Sequence, residues 1–230
     1  MKRFWTIAEA TPEAGGHAIR LDGKPVRTPA KAPLILPTLA LARAVAAEWQ
    51  AQGEVIEPSA MPMTRSANTA IDKVVPQHGD VVQVVAAYGA SDLLCYRAEA
   101  PAALAQAQAE WDAPLAWAET VLDAHLKVIA GVMPVAQEPD TLAALGRRVA
   151  GFDPFALTAL HDLVALSGSL VLGLAVAEGA IPAEVAWRLS RIDEDFQIAR
   201  WGEDAEAAAA TASRRRDFLH AQQFLALVRG

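Results

Sequence analysis

The sequence predicts an α+β protein, with a small N-terminal domain of mixed strands and helices over residues 1–98 and a larger all-α helical domain over residues 99–230. Three observations predict it. Strand and turn signals are confined to about the first forty residues. Beyond Met61-Pro-Met-Thr64 apolar residues recur at helical spacing almost everywhere. No repeat of fixed period runs through either part, so a strand-rich unit followed by a helical one is the expected architecture.

In chain order, Ala18-Ile-Arg-Leu21, Asp22-Gly23 and Lys24-Pro-Val-Arg-Thr28 have the form of a hairpin. Asp-Gly supplies the positive backbone dihedrals of a tight turn, and Pro25 confines the second strand to an edge or a bulge. Pro33-Leu-Ile-Leu-Pro37 leads into Thr38, an N-cap for a helix that carries Trp49 and stops near Gln52-Gly53. Short helices are expected over 64–75 and 81–88, while Ser91 to Arg97 reads as either a helical turn or a strand. Pro101 suits the first position of an Ala-rich helix, which Pro114 should kink. Further helices are expected over 139–150, 154–178, 182–201 and 204–227. Within the second of these, Leu163 to Ala177 is an uncharged run bounded by Asp162 and Glu178. It is too short to cross a bilayer, which needs about 20 residues, and reads as a buried helix whose Gly168 and Gly173 permit close approach.

Composition narrows the function. The chain has 230 residues, 53% of them hydrophobic and 20% charged, which is room for one large or two modest cores. A net charge of -7 argues against nucleic acid, because the only dense basic run, Arg214-Arg215-Arg216, reads as a solvated helix face. A single cysteine, Cys95, rules out an intramolecular disulfide and fits a reducing compartment as a buried thiol. Met1-Lys-Arg-Phe-Trp-Thr is followed by Glu9 and Glu13 rather than by an apolar or Arg-rich leader, so a cytoplasmic location is expected.

No catalytic set is visible. Gly15-Gly16 and Gly146-Arg-Arg lack the spacing of a phosphate loop. The histidines at 17, 78, 125, 161 and 220 are scattered singly, so no metal is expected. Ser167-Gly168-Ser169 lies in the apolar run and reads as small-residue packing rather than a nucleophile elbow. Neither a cofactor nor an acid/base pair can be argued from spacing.

The most informative segment is Trp187 to Gly202. Read as one helix, it places Val185, Leu189, Ile192, Phe196 and Ala199 on one stripe, and Trp187, Ile198 and Trp201 with Glu194 on the other. One stripe can meet the core; the second must meet another element, a cleft or a partner, and carries Glu194 there. The alternative is that Glu194 merely reaches water between two structural tryptophans.

Six phrases together carry a resemblance: Leu21-Asp-Gly-Lys-Pro-Val-Arg-Thr-Pro29; Ala47-Glu-Trp-Gln-Ala-Gln52; Met61-Pro-Met-Thr64 with Ala70-Ile-Asp72; Ser91-Asp-Leu-Leu-Cys-Tyr-Arg97; Gln108-Ala-Glu-Trp-Asp112; and Phe196-Gln-Ile-Ala-Arg-Trp-Gly202. In this order the chain, over about residues 3 to 203, resembles the assembly chaperones of the ATP synthase catalytic head, the family that includes mitochondrial ATP synthase assembly factor 2. The resemblance implies a monomeric, non-enzymatic, ATP-independent chaperone. It would hold the unassembled alpha subunit, prevent its aggregation and release it to the beta subunit, in the bacterial cytoplasm or, for eukaryotic relatives, the mitochondrial matrix. It also implies an important acid before Phe196, first Glu194, with Asp193 and Asp195 as alternatives, and a folding or binding role for Trp49. The expected partner surface is therefore Glu194, Asp193, Asp195, Trp187, Ile198, Trp201 and Trp49. A competing expectation is an enzyme or small-ligand binder with Glu194 or Asp72 as acid or base in an inter-domain cleft; another is a subunit of a different complex.

Overall fold

The computed structural model describes residues 2–131 and 133–230, and its fold is α+β as the sequence predicts. Residue contacts divide the chain into two compact units: residues 2–78 with Asp153–Ala159 and Gln223–Gly230, and Gly79–Phe152 with Leu160–Gln222.

The first unit is built on strand β2 (Gly16–Leu21). Strand β1 (Ala8–Glu13) runs antiparallel along one of its edges. Two short strands share the other edge: β3 (Lys24–Pro25) opposite Arg20 and Leu21, and β4 (Ile35–Leu36) opposite Ala18 and His17. The β2–β3 turn is the Asp22-Gly23 pair, at φ 47° and 78°, the doubly positive geometry for which Asp-Gly is selected. Asp22 also accepts from the Thr6 and Ile7 amides at 2.9–3.1 Å, tying the first residues to the hairpin.

Helix α1 (Leu39–Gln50) packs on β1 and β2, with Leu41, Val45, Ile19 and Leu36 fully buried. Thr38 caps it, its hydroxyl accepting from the Leu41 amide at 3.1 Å. Helix α2 (Pro62–Thr69) begins with Pro62 behind Met61, which cannot cap. Its cap comes from α1 instead: the Glu48 carboxylate accepts from the Met63 and Thr64 amides at 2.6 and 2.8 Å and from the Thr64 hydroxyl at 2.7 Å. A negative charge there also complements the helix dipole. The helix expected over 64–75 is not a single regular one, because α2 passes into a wide π turn over Ala70–Val74.

The second unit is helical. It holds α3 (His78–Ala87) apart from its first residue, α4 (Ala102–Gln108), α5 (Asp112–Leu122) and α6 (Pro139–Ala150). Two-residue strands β5 (Tyr96–Arg97) and β6 (Ile129–Ala130) pair in parallel. Pro114 falls in the first turn of α5, so the expected kink is a break after α4 instead.

The single helix expected over 154–178 is also two, α7 (Pro154–Ser167) and α8 (Leu170–Ala177). Gly168 adopts φ 72°, Ser169 caps α8, and the fully buried Asp92 carboxylate accepts from the Ser169 hydroxyl at 2.7 Å and the Val171 amide at 3.0 Å. The Ser-Gly-Ser run is thus a helix stop and start. Gly173 does serve close approach: a Cβ there would sit 2.5 Å from a methyl of Val164.

Cys95 is buried, and burial together with the Asp92 charge pushes its thiol up to about 12. Native protein should therefore resist a disulfide reagent at mildly alkaline pH and react with one equivalent on unfolding. Stoichiometric labelling of the folded protein would contradict that burial.

Candidate functional site

The helix expected through residues 182–201 is broken. Helix α9 (Ala183–Ser190) ends and α10 (Ile192–Trp201) begins at Arg191, whose φ of −106° and ψ of 1° leave the helical region. Ser190 donates its hydroxyl to the Trp187 carbonyl at 2.7 Å, satisfying a group that the break orphans. Helix α10 then starts with three acids in its first turn, where the dipole favours them.

The break separates residues that a continuous helix would align. Trp187 belongs to α9, is 6% exposed, and meets the ring of the buried Phe218 at 5.6 Å. The outward stripe thus lacks Trp187 and consists of Glu194, Ile198 and Trp201 on α10.

A polar network anchors the start of α10 in the second unit. The buried Gln108 accepts from the Ala98 amide through Oε1 at 2.7 Å and donates through Nε2 to Asp193 at 2.7 Å. Trp111, fully buried, donates its indole N–H to the Leu189 carbonyl at 2.8 Å. Arg97 lies 5.3 Å from the Trp111 ring, pairs with Asp112 at 2.8 Å and donates to the Leu94 and Gln108 carbonyls. On the surface Arg188 pairs with Glu110, holding that carboxyl below its usual range. Two of the phrases noted in the sequence, over residues 91–97 and 108–112, therefore meet Arg188, Leu189 and Asp193 in one cluster that fixes where α10 points.

This anchoring gives the three acids different surroundings. Asp193 faces inward to Gln108. Glu194 is 48% exposed and lies 3.0 Å from Arg191, whose side chain is only 11% exposed. Asp195 is exposed and its carboxylate has no protein partner among the described residues. At the far end Ile198 is half-buried and Trp201 is 73% exposed, with the Arg200 guanidinium 5.9 Å from its ring. An indole this exposed, one turn from an isoleucine and two from a carboxylate, is a surface suited to a protein partner.

Trp49 lies in the other unit, half-buried on α1, where it packs edge-on against the buried Trp5 at 5.3 Å. Asp72 uses one oxygen to accept from the Ala30 amide at 3.0 Å. Among the described residues no three His, Cys, Asp or Glu side chains are grouped to hold a metal, and no helix is long and apolar enough to cross a membrane. Sequence reasoning missed Glu48, Asp92, Arg97 and Gln108; each acts on a partner distant in sequence, so no local spacing signals it.

Residues 2–119 match the family described as ATP12 chaperone protein. The crystal structure of Atp12 from Paracoccus denitrificans superimposes with a TM-score of 0.96 at 55% identity, covering 99% of this chain and 98% of that one. A mutant of the same Paracoccus protein, with an aspartate replaced by lysine, matches at a TM-score of 0.96 and 54% identity, over 99% and 97%. The Atu1473 protein of Agrobacterium tumefaciens matches at 0.92 and 44% identity, over 97% of this chain and 85% of that one.

Proposed function

Because this chain belongs to the ATP12 chaperone family, we propose that it is an ATP synthase assembly chaperone which holds the unassembled alpha subunit of the catalytic head. It prevents that subunit from aggregating until the beta subunit replaces it, without nucleotide and without catalysis. The observation that carries this reading is the likeness to Atp12 over 99% of the chain. Helix α10 adds physical support. An unassembled subunit exposes apolar surface, which a chaperone must cover reversibly with a few aromatic anchors and polar groups that set register. Trp201 and Ile198 supply the apolar contacts; Glu194 and Asp195 supply the charge. Asp193 and Trp187 act in this reading through the fold, by holding the helices that present the surface, and Trp49 acts through the fold of the first unit.

Light scattering during refolding of isolated alpha subunit tests it. Scattering should fall sharply with an equimolar amount of this protein and no nucleotide. Equal scattering with and without it would remove the chaperone assignment for this client.

A further inference from the structure

We infer that the first unit carries a second docking site, a cleft on the sheet that takes an extended acidic segment of a protein partner through one apolar side chain and one carboxylate. The cleft follows from the way β3 and β4 share one edge of β2. Between them the chain leaves the sheet as a hairpin: the Val26 amide still bonds to the Ile19 carbonyl at 2.8 Å, Arg27 pairs with Pro33, and the Thr28 amide bonds to the Ala32 carbonyl at 2.9 Å. Ala18 and Arg20 alternate with the buried Ile19 and Leu21, so they lie on the opposite sheet face. That face and the hairpin border an open hollow of about 320 Å³, with the buried Ala18 and Leu34 at its floor, Val26 and Pro33 on its wall, and Arg20, Arg27 and Glu13 around it.

The outer side of an antiparallel sheet is ordinarily polar; here the hairpin covers Ala18 and leaves an open, largely apolar hollow beside it, a shape suited to recognition. Its size is at the lower end of small-ligand sites, which run from about 300 Å³ and bury most of the ligand. This one is a one-sided notch, suited to a single side chain of a larger partner. The rim decides the charge. Arg20 is already paired with Glu13 at 2.8 Å. Arg27 donates to the Lys31 carbonyl at 2.9 Å and has no carboxylate partner among the described residues. On a protein of net charge -7, the rim thus offers an arginine beside an apolar notch, the complement of a carboxylate next to a large apolar residue.

Fluorescence anisotropy with two labelled peptides, identical except that one carries glutamates and the other lysines around a central Leu-Phe, tests the site. The acidic peptide should bind and shift the Ala18 methyl resonance, and Arg27→Glu, at an exposed position, should weaken it at least tenfold with an unchanged melt while favouring the lysine peptide. Equal binding of both peptides, or of the acidic peptide to wild type and Arg27→Glu, would overturn the proposal. So would octanoate shifting Ala18 when the peptide does not, which would make the cleft a small-molecule site. Self-association abolished by Arg27→Glu would overturn it in favour of a second copy of this chain.

Discussion

Asp92→Ala is expected to lower the stability of the helical unit by about 3–5 kcal/mol, because it strands several buried donors at once. The carboxylate is fully buried and accepts from the Leu94 amide, the Ser169 hydroxyl and the Val171 amide. Two of those donors belong to the start of α8, and the third to the turn after α3. Removing the acid therefore uncaps a helix and releases a loop together. Asp92→Asn keeps one acceptor oxygen but turns an amide N–H₂ toward a donor, so it should lie between alanine and wild type. Thermal melts check the order. A melt for Asp92→Ala within a degree or two of wild type would mean that water replaces the carboxylate at no loss, against the burial observed.

The pH dependence of that pair has a defined sign. Burial, working against the donors, holds the Asp92 carboxyl above its ordinary 3.8 in the folded state. Between the ordinary value and the raised one, the folded chain binds a proton that the unfolded chain has lost, so stability falls as pH rises through that window. The advantage of wild type over Asp92→Asn should accordingly be largest at the acid end and shrink as the carboxyl ionises. An advantage that grows with pH there would show the three donors outweighing desolvation.

Much of the fold was legible because its signals are local. Asp22-Gly23 turns the hairpin, Thr38 caps α1, and the helix expected over 139–150 is α6 with those bounds. The breaks at Gly168 and Arg191 were not legible, for a common reason. Apolar residues continue on both sides of each, so a periodicity argument runs straight through. Ser-Gly-Ser could have been read as a helix stop followed by an N-cap, but the partner that stabilises it, Asp92, lies 77 residues away from Ser169. The candidate site shows the same limit. The acids, Ile198 and Trp201 were visible, whereas the inward turn of Asp193 depends on Gln108, 85 residues distant.

The second large effect concerns the two tryptophans that a continuous helix would have put on one side. Trp187→Ala should destabilise the protein by roughly 3–5 kcal/mol, since its ring is buried against Phe218. Trp201→Ala should leave the melt within about 0.5 kcal/mol of wild type, as expected of an exposed position. It should nonetheless weaken capture of isolated alpha subunit by about 2 kcal/mol or more, near thirtyfold, if the indole is an anchor of the interface. Glu194 should behave as an interface charge with a small structural share. Glu194→Gln removes the counter-ion of Arg191, whose side chain is only 11% exposed, but keeps an acceptor oxygen beside it, so the cost should be that of a charge lost from a hydrogen bond, about 1 kcal/mol, while capture weakens. Glu194→Lys sets two cations side by side on the client surface and should abolish capture. A fluorescence titration of alpha subunit against each variant decides the matter: unchanged affinity in both Trp201→Ala and Glu194→Lys, with folded protein confirmed by circular dichroism, would move the client surface off α10.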